Sequence, residues 1–159
     1  MLQKAVHIFI IISLIALVGC NKATEEDTDD QPLPAVLYEN PDQGVRVLKT
    51  DGWVVEKETA TSVQFKNENI VAIISVIPNE ETGAEIKQEL LSAAGEITVT
   101  GEGPNYISWK SERSESIQTN VYINQKQNRN VITTFLTPLS DYENNREEIE
   151  AFRWHVELY

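Results

Sequence analysis

Cysteine, histidine and positive charge are scarce in this chain. It holds one Cys, two His and 13 Lys and Arg against 25 Asp and Glu in 159 residues. A single thiol cannot close an intramolecular disulfide and excludes a cysteine-based zinc site. A formal charge of −12 repels polyanions, so nucleic acid is excluded as a partner. The length suits one domain and is too short for two ordinary ones. What the chain does have is 41% hydrophobic residues, enough for a packed core, so global disorder is excluded as well.

The apolar residues are unevenly spread. Met1 to Lys4 is a short segment with one side-chain cation, and Ala5 to Val18 (AVHIFIIISLIALV) is apolar except at His7 and Ser13. A membrane span needs roughly 20 apolar residues, so the run reads as a secretory leader. It ends in Leu17-Val18-Gly19-Cys20. That tetrapeptide resembles the bacterial lipobox, in which Leu, a small or branched residue and Gly or Ala precede the Cys. The resemblance covers residues 1–20. It implies a lipoprotein signal peptide over 1–19, an S-diacylglycerol thioether on Cys20 and N-acylation of the new terminus. It also implies residence in the cell membrane, lipid-anchored on the extracytoplasmic face. A thiol is a competent nucleophile for such transfer, and two or more acyl chains anchor stably at about 0.8 kcal/mol per buried CH₂.

Residues 20–35 follow as an acidic tether. Asn21 to Pro34 (NKATEEDTDDQPLP) has no aromatic residue and five carboxylates against Lys22. Such a segment cannot offset chain entropy by burial, so disorder is expected; like charges extend it, and Pro32 and Pro34 stiffen its end. Asp27-Thr28-Asp29 has neither the Gly nor the distal Glu of a calcium loop. Setting aside the five tether acids, Lys4 and Lys22 leaves 20 acidic and 11 basic residues, so the domain itself carries −9.

Over residues 36–159 the patterning predicts a single α+β domain. Strands are expected at Val45–Leu48, Trp53–Glu58, Ser62–Lys66 and Ile70–Ile77, with a hairpin turn at Asn67-Glu68-Asn69. The run Ile70–Ile77 (IVAIISVI) suits a strand covered on both faces. Ile86, Leu90, Leu91 and Ala94 then share a helical face within Glu80–Glu96, with Gly95 as the stop. Strands resume at Ile97–Thr100, Tyr106–Ser111, Ile117–Ile123 and Val131–Thr137, with a turn at Gly101-Glu102-Gly103-Pro104 and a hairpin tip over Gln125–Asn130. Ser140 is expected to cap a second helix running to about Ala151, followed by an extended tail. Phe152, Trp154, Val156 and Leu158 also alternate as a strand would. The expected fold is an antiparallel sheet of about 7–8 strands in two meanders, sandwiched by two helices.

The segment Gly44-Val45-Arg46-Val47-Leu48-Lys49-Thr50-Asp51-Gly52-Trp53 resembles the opening motif of the PsbP/Mog1-like superfamily, and Ile149…Phe152-Arg153 resembles its close. Val45 stands where that pattern has an aromatic residue, and Thr50 where it has Pro. The resemblance implies the fold; the functions of its members are too varied to transfer any site residue.

No catalytic constellation emerges. After the leader the only histidine is His155, without an evident sequence partner, and there is no Gly-x-Ser-x-Gly or Ser-x-x-Lys motif. Gly101-Glu102-Gly103 runs into Pro104 and has no lysine for a phosphate loop. The carboxylates Glu80, Glu81, Glu85, Glu89, Glu147, Glu148 and Glu150 fall on expected exposed helix faces. The remaining signal is aromatic: Trp53, Trp109, Trp154, Tyr106, Tyr122 and Phe135. Most fill a core. Trp109 or Tyr122, on a half-exposed sheet face, is the candidate to line a groove for a ligand or partner. The expectation is a lipid-anchored, non-enzymatic binding or accessory module facing an unknown envelope protein or ligand, with no metal or cofactor. The alternative is an envelope hydrolase using paired carboxylates; a solute receptor of the two-lobed kind needs more residues.

Overall fold

Alternating or continuous β-branched residues, punctuated by turn formers, make most of the domain strand. A computed structural model describes residues 34–111, 115–126 and 128–159. The expected leader, Cys20 and nearly all of the expected tether lie outside the described residues. The elements in chain order are β1 (Val36–Asn40), β2 (Val45–Leu48), β3 (Val54–Glu58), β4 (Ser62–Asn67), β5 (Ile70–Pro78) and α1 (Gly83–Ala94). They continue as β6 (Ile97–Gly103), β7 (Tyr106–Ser111), β8 (Ile117–Lys126), β9 (Arg129–Pro138), α2 (Tyr142–Trp154) and β10 (Val156–Leu158).

Seven strands form one antiparallel sheet in the order β3-β4-β5-β9-β8-β7-β6, and β1-β2-β10 form a second. The α+β class, the antiparallel pairing and the two helices are those expected. The small sheet adds to the expectation: the residues before Val45 pair with β2, and the tail after α2 pairs with its other edge, Val156 opposite Val47 and Leu158 opposite Val45.

Local chemistry explains where the elements begin and end. Thr82 caps α1 in a reciprocal capping box: its hydroxyl accepts from the Glu85 backbone N–H, and the Glu85 carboxylate accepts from the Thr82 N–H at 2.7 Å. This satisfies two orphan donors, so the helix starts at Gly83 and not at Glu80. Gly95 ends it at φ +79°. Glu68 sits at φ +48° in the β4–β5 turn. The turn expected at Gly101–Pro104 lies later, at Pro104-Asn105, because β6 continues through Gly103 across a bulge between Val99 and Gly101. Ser140 does not cap α2. The N-cap is Asp141, and Ser140 Oγ donates to its carboxylate at 3.2 Å.

The alternation that left the C-terminus ambiguous resolves by burial. The helix runs three residues past Ala151, so Phe152 faces inward at 0% exposure while Trp154 faces out at 76%. Phe152 is the hub of an aromatic cluster, with ring centroids 4.1 Å from Trp53, 5.2 Å from Phe65 and 5.9 Å from Phe135. Around it Tyr38, Val45 and Val47 of the small sheet meet Val63, Ile70, Ala72, Ile74 and Val131 of the large one. A second cluster, on the opposite face, joins Ile86 of α1 to Ile107, Trp109, Val121, Ile123 and Ile132. The order of layers is thus α2 with the small sheet, the large sheet, then α1. Among the described residues no helix is long and apolar enough to cross a membrane.

Truncating the hub and its exposed helix neighbour should give opposite results. Phe152→Ala is expected to cost about 3–5 kcal/mol, and Trp154→Ala less than about 0.5 kcal/mol, in urea unfolding of the two variants. Equal losses would mean that the two side chains share one buried face.

Candidate functional site

Two concave regions flank the large sheet, one on each face, and each holds one of the two aromatic residues singled out by sequence. Trp109 points toward α1. It is 7% exposed and lines a cavity of about 510 Å³, together with Leu90 and Ala94 of α1 and Val71, Val121 and Leu136 of the sheet. None of the lining residues carries a charge; Asn69, Ser111, Thr119 and Thr134 supply the polar atoms. The cavity exists because α1 stops covering the sheet before it reaches the Val71 end of β5. Ile70, Ala72 and Ile74 on the α2 side are buried, but Val71 and Ile73 on the α1 side are half-buried. The expected coverage of β5 on both faces is therefore incomplete on one. The same helix turns Glu85, Gln88, Glu89 and Ser92 to solvent along a shallow depression that Glu81, just before the cap, also lines.

Tyr122 points the other way, toward α2, so the two residues do not share a groove. It lines a cavity of about 300 Å³ with Tyr106, Tyr142, Arg146, Ile149 and Glu150. Register and helical spacing assemble it. Tyr106 of β7 stands directly opposite Tyr122 of β8, so both rings lie on one face with centroids 5.0 Å apart. Residues 142, 146, 149 and 150 recur at the i, i+4, i+7, i+8 spacing that makes one stripe of a helix. Beneath them Asn120 is 1% exposed, and its Oδ1 accepts from Tyr106 Oη at 3.0 Å and Tyr142 Oη at 3.3 Å. Tyr122 Oη donates to Glu150 at 3.2 Å, and the Arg153 guanidinium lies 4.7 Å from the Tyr122 ring centre. Tyr142, Arg146 and Asn120 were not singled out by sequence. The i, i+4 pair Tyr142 and Arg146 was visible, but only the register shows that it faces Tyr106 and Tyr122.

The remaining sequence candidates are scattered. Glu85 is the capping-box acid. Glu148 Oε1 accepts from Trp53 Nε1 at 2.9 Å and Asn67 Nδ2 at 2.8 Å, tying α2 to the β4–β5 corner. Glu150 pairs with Arg153 at 2.7 Å. His155 closes α2, with Nδ1 2.6 Å from the Ala151 carbonyl oxygen, which it serves as donor. Among the described residues no group of three or more His, Cys, Asp or Glu side chains could hold a metal ion.

Burial, then the Glu150 carboxylate, hold the Tyr122 phenol far above the ordinary tyrosine range; burial, then Tyr106, raise Tyr142. The folded state keeps these protons more tightly than the unfolded chain does. Their stabilisation is complete below the unfolded value of about 10 and declines as pH rises toward the folded values. Urea midpoints measured at about pH 8 and about pH 11 should therefore fall for the wild type and fall less for Tyr122→Phe.

No family model matches the chain, and no curated protein matches it. Solved structures do. Cyanobacterial PsbP (CyanoP) from Synechocystis sp. PCC 6803 is similar at a TM-score of 0.51 and 9% identity, covering 91% of this chain and 99% of that one. A Mog1 variant gives a TM-score of 0.54 at 6% identity over 79% of this chain and 95% of that one. The Ran-binding protein Mog1p of Saccharomyces cerevisiae gives 0.52 at 7% identity over 76% and 93%. At these identities the likeness concerns architecture, and the architecture is PsbP/Mog1-like.

Proposed function

We propose that the chain is a lipid-anchored, extracytoplasmic bacterial lipoprotein whose domain is a non-enzymatic binding module for a protein segment. That segment would carry apolar side chains flanked by Lys or Arg. The observation that supports this reading most is the uncharged cavity beside α1, open to solvent on a domain of net charge −9 and bordered by a helix whose outer face carries Glu85 and Glu89, with Glu81 just before its cap. Apolar side chains gain by leaving water for that cavity, and the acidic helix selects basic flanks and speeds their encounter. The lipobox supplies the anchor. Holding the module at a membrane raises its effective concentration toward partners there, so a modest interface suffices. Of the seven carboxylates weighed for an envelope hydrolase, Glu85, Glu148 and Glu150 are engaged in a cap, a tryptophan–asparagine clasp and an arginine pair.

Two measurements test the two halves of the proposal. Cys20→Ala should move the protein from the detergent-extracted membrane fraction to an unprocessed or soluble form without metabolically incorporated fatty acid; a variant that still carries the label removes the anchor. For the docking face, a photocrosslinking residue at Leu136 in intact cells should trap a protein segment rich in Lys or Arg, with a yield that falls as salt is raised. The same residue at Lys57, on the exposed outer strand β3, should trap none. Equal trapping at both positions, an adduct with lipid, or a yield indifferent to salt would overturn the docking site.

A further inference from the structure

The tyrosine cavity under α2 is separate from the docking face: the sheet lies between them, and no residue lines both. Its lining shows what it can take. All three phenol hydroxyls have their protons committed within the protein, Tyr106 and Tyr142 to Asn120 and Tyr122 to Glu150. Each therefore offers a ligand lone pairs and no proton, and the Glu150 carboxylate is a further acceptor. The site as a whole seeks donors.

Both charged ligand classes fit poorly. An anion would meet those lone pairs and Glu150, while the two arginines are already paired, Arg146 with Glu143 at 3.2 Å and Arg153 with Glu150 at 2.7 Å. A cation would look for an open aromatic face, but Arg153 already lies against the Tyr122 ring, and Arg146 stands at the mouth. What remains is an uncharged ligand dense in O–H donors, with an apolar C–H surface for the ring of Tyr106. The amide beneath these hydroxyls is buried and does not itself line the cavity. Asn120 Nδ2 has no hydrogen-bond partner among the described residues, and it belongs to the side chain whose oxygen orients two of the cavity's hydroxyls. At about 300 Å³ the cavity is at the small end for ligand sites, the scale of a sugar unit and not of a large cofactor.

We propose that the cavity formed by Tyr106, Tyr122, Tyr142, Arg146 and Glu150 is a binding site for an uncharged saccharide. Sugar hydroxyls donate to the phenol oxygens and Glu150, the exposed Arg146 donates to a ring or acyl oxygen, and a C–H face of the ring packs on Tyr106. The shared chemistry covers a free sugar and a unit within a glycan chain.

The test uses the full-length protein in detergent and saturation-transfer NMR with four probes: N-acetylglucosamine, its β-1,4-linked trimer, glucosamine and glucuronate. The two uncharged probes should bind saturably, and the two charged ones at least tenfold more weakly. A trimer bound several-fold tighter than the monomer marks a glycan chain as the source, and equal affinity marks a free sugar. Tyr142→Phe and Arg146→Ala should each weaken the trimer about fivefold or more. Arg146 is 62% exposed in its side chain, so its variant reports on binding even if Tyr142→Phe lowers the melting temperature. The proposal is overturned if no uncharged probe saturates, if a charged probe binds as well, or if neither variant changes the affinity. Photocrosslinking at Leu136 is unaffected by any of these results, so the two sites stand or fall separately.

Discussion

A sheet with two apolar faces has to be covered, and this chain has little with which to cover it. Seven strands span about 29 Å across six spacings of about 4.8 Å, whereas a helix with its side chains is about 10 Å wide. On one face α2 and the three-stranded sheet share the work, and the buried residues from Tyr38 to Phe152 form one continuous core. On the other face α1 works alone, with 12 residues and one fully buried side chain, Ile86. The mismatch between sheet area and helix area leaves Val71, Leu136 and Ile117 around an open apolar cavity. The same shortage makes the second cavity, where the stripe of α2 ends against the Tyr106–Tyr122 pair.

The cover on the α2 side is held by directional contacts as well as by area. Phe152 meets three aromatic rings, mostly edge to face, an arrangement favoured beyond its burial. Glu148 fastens the helix to Trp53 and Asn67. The tail returns along β2, where the Tyr159 N–H donates to Gly44 O at 3.0 Å. Gly44 has φ +61°, and a Cβ there would lie 2.5 Å from the Tyr159 carbonyl oxygen. The glycine in the opening motif is thus required by the C-terminus, more than 100 residues away in sequence. The surface ion pairs, such as Arg46 with Glu39 and Lys66 with Glu56, are exposed and contribute little by comparison.

How much of this was legible in the sequence follows from the range of each interaction. Period and punctuation are local, so the seven strands of the large sheet and both helices could be read from alternation, from the shift at Glu80 and from Gly95. Helix termini were less legible: Ser140 looked like a cap, but the chain turns into the helix only at Asp141. β1 and β10 were missed as strands because each is short and gains its pairing only from β2, a long-range partner. Phe152 and Val156 fitted two periods at once, and only the aromatic pocket around Phe152 selects the helix. At the candidate site the types of residue were visible, and their sides were not. Trp109 and Tyr122 read as equivalent half-buried aromatics, yet the antiparallel register places Trp109 with Thr119 and Tyr122 with Tyr106, on opposite faces.

That separation has a consequence for how such a module would work. The sheet between the cavities is held by continuous antiparallel ladders on both sides of β9, so a ligand on one face does not occlude the other. Linkage between them would need a differential contact, and the only elements they share are the strands β7 and β8. The neighbouring ladder residues Ser108 and Gln118 are buried and polar, with Gln118 Nε2 donating to Thr100 Oγ1 and Thr100 Oγ1 2.9 Å from Ser108 Oγ. Such a network fixes register and resists small shifts, because each displaced group would be left without a partner. Occupancy of the proposed saccharide site and docking at α1 would therefore be additive on this scaffold. A domain anchored as proposed, with a glycan on one face and a basic protein segment on the other, would join them by proximity alone, with no conformational change.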